Sequence, residues 1–317
     1  MRQILLKSSL ALGDIVALSA VPRELASQYP GQYQVAIDTP FPSLFDNNPH
    51  VVPADDSFEV IQCEYHRDAW ESVNRSNEHP THLITAYCQD VANSLGITLR
   101  PSTLAGDIHL SREEFVWKSL PHERFNCQRF WIVCSGGKDD FPIKHWSHES
   151  YQRVIDWFRG RIQFVQVGSN APGHLHRPLN GVLNLVGQTD VRQLVRLVHS
   201  SCGILCGITS LVHLAAAVPL PTWQKRPKPC VVIAGGREPR TWYGYPTHRI
   251  LESVGTLPCC STGGCWHSHV VPVLDGQDEQ RRFCERVVND QPKCLNMIRP
   301  EAAILEIEKY LDSEGIE

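Results

Sequence analysis

"QILLKSSLALGDIVALSAVPREL", residues 3–25, decides how the rest of the chain is read. It opens with QILLKSS (3–9), an apolar run of strand length. The period then changes, and Ile15, Val16, Leu18, Val21 and Leu25 recur at helical spacing. Pro22 falls inside that helix and predicts a kink, because proline brings no N–H to the helical ladder. Between strand and helix stands Gly13-Asp14, a tight turn at a helix mouth. A strand that passes through such a turn into a helix is the opening of a parallel-sheet unit.

The same alternation continues. YQVAIDT (33–39) and FEVIQCEY (58–65) read as strands, and HLITAYCQDVANSLGI (82–97) as a helix. Residues 98–128 lose the rhythm and carry Pro101, Gly106 and Pro121, which places a domain junction at about 115–128. Beyond it RFWIVCSGG (129–137), IQFVQVGS (162–169), GILCGITS (203–210) and PCVVIAGG (229–236) are strands. HESYQRVIDWFRG (148–160), DVRQLVRLVHSS (190–201) and LVHLAAAV (211–218) are helices. PEAAILEIEKYLDS (300–313), with Pro at its start and Ile304, Ile307 and Leu311 on one face, is expected to close the chain as an amphipathic helix. The expected fold class is α/β. It comprises two Rossmann-like doubly wound domains, 1–120 and 121–317, that face a cleft where the strands' carboxyl ends bind a ligand.

The chain has 317 residues, long for one core, which agrees with two domains. A formal net charge of −4 gives no reason to expect a nucleic-acid partner, which normally calls for a basic excess. No stretch approaches the ~20 apolar residues of a membrane span, and the N-terminal apolar run is too short for a signal peptide, so a cytoplasmic protein is expected. In that compartment the twelve cysteines read as free thiols or metal ligands rather than disulfides.

Three stretches could do chemistry. Asp14 is either an N-cap or a general base at the cleft. In GGKDDFPIKHW (136–146), with Ser135 just before it, the glycines allow an anion to approach the backbone, and Lys138 or Lys144 supplies positive charge. In CGITSLVHLAAA (206–217) a strand ends near Ile208, and Thr209 and Ser210 stand at the start of a helix whose dipole faces the same point, a geometry suited to a diphosphate. Simple N-capping is the competing account of that pair. His213, one turn on, faces the same anion or is a hydrogen-bonded core residue.

Taken in order, LLKSSLALGDIVALSAVPREL, YPGQYQVAIDTPFPSLFDNNPHV, KHW (144–146) and ITSLVHLAAAVPLP (208–221) resemble the ADP-heptose:lipopolysaccharide heptosyltransferases, glycosyltransferase family 9, over roughly residues 1–250. The resemblance implies a GT-B fold, with the acceptor on the N-terminal domain and the nucleotide-sugar on the C-terminal one. It implies Asp14 as the catalytic aspartate, Lys144 as the phosphate-binding lysine, and Thr209, Ser210 and His213 as the diphosphate turn. Ser135 and Gly136 join them in the nucleotide-sugar site. Family members carry an acidic residue before the turn's Thr/Ser, where this chain has Gly207-Ile208. AGGREPRTWYGYP (234–246) replaces a glycine-proline loop, and Glu238 within it is assigned to the sugar.

LPCCSTGGCWHSH (257–269) opens a cysteine-rich segment, 257–297, of pattern C-C-x4-C-x18-C-x9-C. Four thiolates make a tetrahedral structural site, and Gly263-Gly264 let the backbone fold back between ligands. Cys260, Cys265, Cys284 and Cys294 are the expected ligands, with Cys259 as the alternative. Unconnected buried thiols are the other reading, as taken for the remaining seven cysteines. The segment resembles the cysteine-rich extension of bacterial autotransporter heptosyltransferases, whose cluster binds iron; zinc is the chemical default, so zinc or iron is expected as a structural clamp. No catalytic metal is expected.

The reading is an inverting transferase that moves a heptose or related sugar from a nucleoside-diphosphate sugar, ADP-heptose by resemblance, to a hydroxyl of a glycan, protein or small molecule. The alternatives are a GT-B nucleotide-sugar epimerase or hydrolase, and a non-catalytic metal-stabilised interaction module. An oligomer is compatible with the sequence.

Overall fold

The first apolar run becomes β1 (Arg2–Lys7), the centre of a three-stranded parallel sheet with β2 (Tyr33–Asp38) on one side and β3 (Glu59–Gln62) on the other. The computed structural model describes residues 1–63, 80–272, 274, 279 and 282–314. Glu64 and Tyr65, expected to end the third strand, and positions 273, 275–278, 280 and 281 of the cysteine-rich segment lie outside the described residues.

The expected helix after β1 is two helices, α1 (Leu12–Leu18) and α2 (Ala20–Gln28). The break falls at Ser19, before the proline and not at it. Pro22 has no N–H for the Leu18 carbonyl four residues back, so the ladder is interrupted there. Ser19 fastens the corner, its hydroxyl donating to the Val16 carbonyl at 2.6 Å and accepting from the Asp107 N–H at 2.7 Å. α3 (Leu83–Leu95) ends on Gly96 in the left-handed region (φ 69°), as helix C-termini commonly do.

A second parallel sheet of six strands holds β4 (Trp131–Cys134), β5 (Phe164–Gln166), β6 (Leu183–Asn184), β7 (Gly203–Gly207), β8 (Cys230–Gly235) and β9 (Arg249–Glu252) in the order β9-β8-β7-β4-β5-β6. β4, β7 and β8 are buried along their whole length, which is why they read as continuous apolar runs. α4 (His148–Trp157), α5 (Val191–Ser200), α6 (Ser210–Ala217) and α7 (Pro300–Glu314) complete the layers. α7 lays Ala303, Ile307 and Leu311 on the face of this sheet that carries Trp131, Val133 and Ile233.

One hydrophobic cluster runs from Ile4 and Leu6 of β1 through Ile15 and Val16 of α1 to Leu211 and Val212 of α6 and Val232 of β8. A buried ion pair reinforces the join. The short helix Arg112–Phe115 carries Glu114, which accepts from Arg192 Nε of α5 at 2.6 Å and Arg196 Nε at 3.1 Å. The Arg192 guanidinium holds the Glu114 carboxyl down at about 2. Among the described residues no helix is long and apolar enough to cross a membrane.

Candidate functional site

The carboxyl ends of β1, β7 and β8 bring three turns together. The N-cap of α1 is Ala11, which has no capping side chain, and Asp14 stands half-buried in the helix's first turn. The N-cap account of Asp14 is therefore replaced: the carboxylate lies where the positive end of the helix dipole favours it. One residue earlier, Gly13 abuts α6, and a β-carbon there would lie 3.4 Å from Ser210 Cα and 3.0 Å from His213 Cδ2.

At the mouth of α6, Thr209 is the N-cap, its Oγ1 accepting from the Leu211 N–H at 3.4 Å. Strand β7 ends at Gly207, one residue before the expected Ile208. Ser210 is the first helical residue and half-buried. His213 is only 6% exposed, and its Nδ1 lies 2.7 Å from the Tyr245 hydroxyl. Burial, then His82, His248 and Lys144, push the His213 imidazole down to about 3, so it is neutral at ordinary pH.

Lys144 ends a 3-10 turn begun by Pro142. Its Nζ meets Glu238 Oε1 at 2.6 Å and lies 5.7 Å over the Phe141 ring. Burial and the Arg237 cation push the ammonium's pKa well down, while Asp14 and Asp140 oppose them. Asp14, Lys144, Thr209, Ser210, His213 and Glu238 thus share one region of the molecule.

Ser135 and Gly136 directly follow β4, in the same sheet as β7 and β8. The Ser135 hydroxyl accepts from Gln166 of β5 at 3.0 Å, and a β-carbon on Gly136 would run into the Leu175 carbonyl and the His176 ring. Sequence reasoning missed Arg237, Tyr245 and Trp266. Arg237 adjoins the flagged Glu238, but its partners come from loops distant in sequence.

The cysteine-rich segment wraps the same loop. Gly236 accepts from the Cys265 N–H at 3.3 Å, and its β-carbon position lies 3.1 Å from Cys260 Sγ and 3.3 Å from Cys294 Cβ. Gly264, at φ 147°, passes so close to Arg237 that a β-carbon would sit 2.7 Å from its carbonyl oxygen. Burial pushes the Cys265 thiol up to about 12. Among the described residues no three His, Cys, Asp or Glu side chains are arranged to hold a metal ion. The thiols gather without converging: Cys284 donates to the Arg286 carbonyl at 3.3 Å and Cys260 to that of Leu257 at 3.4 Å.

No protein-family model matches the chain, and no curated protein matches it by sequence. The fold does have known counterparts. The chain is similar to a glycosyltransferase family 9 structure from Veillonella parvula, with TM-score 0.62 and 13% identity over 98% of this chain and 97% of that one. It is similar to the ADP-heptose lipopolysaccharide heptosyltransferase II of E. coli, with TM-score 0.59 and 16% identity over 99% of this chain and 100% of that one. The iron-containing dodecameric glycosyltransferase TibC of enterotoxigenic E. coli gives TM-score 0.64 and 13% identity over 98% of this chain and 76% of its own. The α/β parallel-sheet fold is that of these glycosyltransferase structures.

Proposed function

We propose that this chain is an inverting glycosyltransferase of GT-B type, with residues 1–120 receiving the acceptor and 121–317 the donor, a nucleoside-diphosphate sugar. ADP-heptose is the donor we put first, on the fold likeness to heptosyltransferase structures. The observation that carries the reading is the packing of the Gly13-Asp14 turn against the Ser210 and His213 end of α6, with Lys144 near enough for its charge to act on both Asp14 and His213.

In this reading Asp14 takes the proton of an acceptor hydroxyl as that oxygen bonds to the anomeric carbon. The bond from that carbon to the diphosphate breaks on the opposite face, inverting the centre. Lys144 and the amides of α6 receive the charge that develops on the leaving group. Neutral His213, held by Tyr245, contributes a polar edge rather than a charge.

The cysteine-rich segment is proposed as a structural clamp on the Gly236 loop. Zinc or iron on Cys260, Cys265, Cys284 and Cys294, with Cys259 as alternate, is the metal-bound form we infer. As they stand the thiols do not fit an ion, so no step of the reaction is routed through one. Elemental analysis of the purified protein tests it: about one zinc or iron per chain supports the clamp, and neither metal removes it. A cytoplasmic setting is part of the proposal, on the reading of the twelve cysteines as thiols or metal ligands rather than disulfides.

The test is calorimetric and thermal-shift titration with ADP, UDP, GDP and ADP-heptose, because a ligand that binds only the folded state raises its melting temperature. Tight ADP-heptose binding, with ADP close behind, is expected. No response to any nucleotide overturns the reading.

A further inference from the structure

We propose that Arg237 is a second cation of the diphosphate site and that Glu238 is its internal occupant, a carboxylate that holds Lys144 and Arg237 together until a phosphate replaces it. This deepens the donor site proposed above and rests on it. Lys144 Nζ lies 2.6 Å from Glu238 Oε1, and Arg237 Nη1 pairs with the same oxygen. Two cations therefore share one carboxylate that is 5% exposed, and the trio keeps a net positive charge.

Arg237 is built into place. Its guanidinium lies 5.3 Å from the Phe141 ring and 5.4 Å from the Trp266 ring, and Nε donates to the His267 carbonyl at 2.6 Å. Trp266 has φ 56°, a backbone conformation a bulky residue adopts only when its surroundings impose it. Its N–H donates to the Arg237 carbonyl at 3.1 Å, and its ring meets Trp242 edge to face at 6.0 Å. Strain is thus held at the residue that carries the arginine. Phe141 is shared, lying under both Arg237 and Lys144, so the two cations form one unit.

The chemistry selects a diphosphate. A planar guanidinium grips phosphate oxygens in pairs, and a lysine beside it adds a point charge. Glu238 sets an anion against the half-buried Lys144, and an anion beside an ammonium favours its charged form. A diphosphate would supply that anion in the complex. A carboxylate already clamped by two cations is a poor acceptor for a sugar hydroxyl, which argues against the sugar role first assigned to Glu238.

The experiment titrates the full chain and its E238Q, R237K and R237A variants with ADP, AMP and ADP-heptose at several salt concentrations. E238Q keeps the shape and removes the competing charge, so ADP is expected to bind about three- to tenfold tighter, with a smaller change for AMP. R237A is expected to weaken ADP about tenfold and to flatten the salt dependence, with R237K between it and wild type. If E238Q binds ADP unchanged but ADP-heptose more weakly, Glu238 is a sugar ligand and the proposal fails. If wild type binds ADP and all three variants bind it equally, the proposal fails while the donor site stands. If wild type binds no nucleotide, both fall.

Discussion

His213 and Gly13 meet where α6 and α1 cross, the imidazole Cδ2 lying 3.0 Å from where a β-carbon on Gly13 would stand. The ring cannot simply turn aside, because its Nδ1 is held 2.7 Å from the Tyr245 hydroxyl. Gly13→Ala therefore pushes on the N-terminus of α1. The helix gains about 1 kcal/mol from losing a glycine, which offsets much of the overpacking. Melting temperature is expected to move little while turnover falls about tenfold or more, since Asp14 is the next residue. Equal turnover in the variant would mean that this crossing does not position Asp14.

Asp14→Asn separates the chemical step from binding. The amide cannot take a proton, and turnover is expected to fall by about a thousandfold, within the range general bases contribute. Calorimetric affinity for ADP is expected to stay within about threefold, because the cation and helix mouth proposed to hold the diphosphate are untouched. A variant that transfers sugar at the wild-type rate removes Asp14 from the mechanism.

Three buried imidazoles surround Tyr245: His82 at 5.2 Å, His213 at 5.7 Å and His248 at 5.1 Å between ring centroids. Burial pushes His82 and His248 down to about 4 and His213 to about 3. The unfolded chain takes up these protons near pH 6.5 and the native chain does not. Their contribution to stability is thus complete above about pH 6.5 and is lost as the pH falls toward 4, at roughly 1.4 kcal/mol per pH unit for each imidazole. Denaturant midpoints measured from pH 7.5 to 4.5 are expected to drop steeply below 6.5. A flat profile would show that the cluster opens to water.

Lys228 is 2% exposed, and its Nζ donates to the His199 carbonyl at 3.0 Å, to the Ser201 carbonyl and to Gln224 Oε1 at 2.8 Å. It closes the C-terminal end of α5, where carbonyls lack helical partners. Lys228→Met leaves those oxygens buried and unpaired, and is expected to cost about 2–4 kcal/mol in denaturant unfolding with ADP affinity unchanged. A loss below about 0.5 kcal/mol would mean that water replaces the ammonium.

The fold was legible where burial is complete. β4, β7 and β8 are apolar throughout because both faces are covered, and Thr209 and Lys144 stood out because they follow such strands. The edge strands β6 and β9 were missed: Leu183–Asn184 is two residues long, and RILE at Arg249–Glu252 has charged ends that mask its two apolar positions. Tyr245, Arg237 and Trp266 were illegible for another reason. Each reaches the site only through partners distant in sequence: His213 for Tyr245, Phe141 for Arg237, and Arg237 itself for Trp266. The cysteine spacing predicted ligands closing on one point, whereas the backbone wraps Gly236 and directs Cys284 to a carbonyl.

That wrapping makes the cysteines more than a distant brace. Cys265 donates its N–H to Gly236, and the next two residues supply the Trp266 ring and the His267 carbonyl that hold Arg237. On the other side, Cys260 and Cys294 pack on Gly236, and Ser253 ties the Cys294 carbonyl at 2.9 Å to a backbone whose N–H meets Gly235. Loosening this wrap must loosen the loop that carries Arg237 and Glu238. The double substitution Cys260→Ser, Cys294→Ser is therefore expected to weaken ADP binding about three- to tenfold, besides lowering stability by a few kcal/mol through lost buried packing. Calorimetry well below the melting temperature separates the two effects. Unchanged ADP affinity in a destabilised variant would confine the cysteine segment to stability and detach it from the proposed donor site.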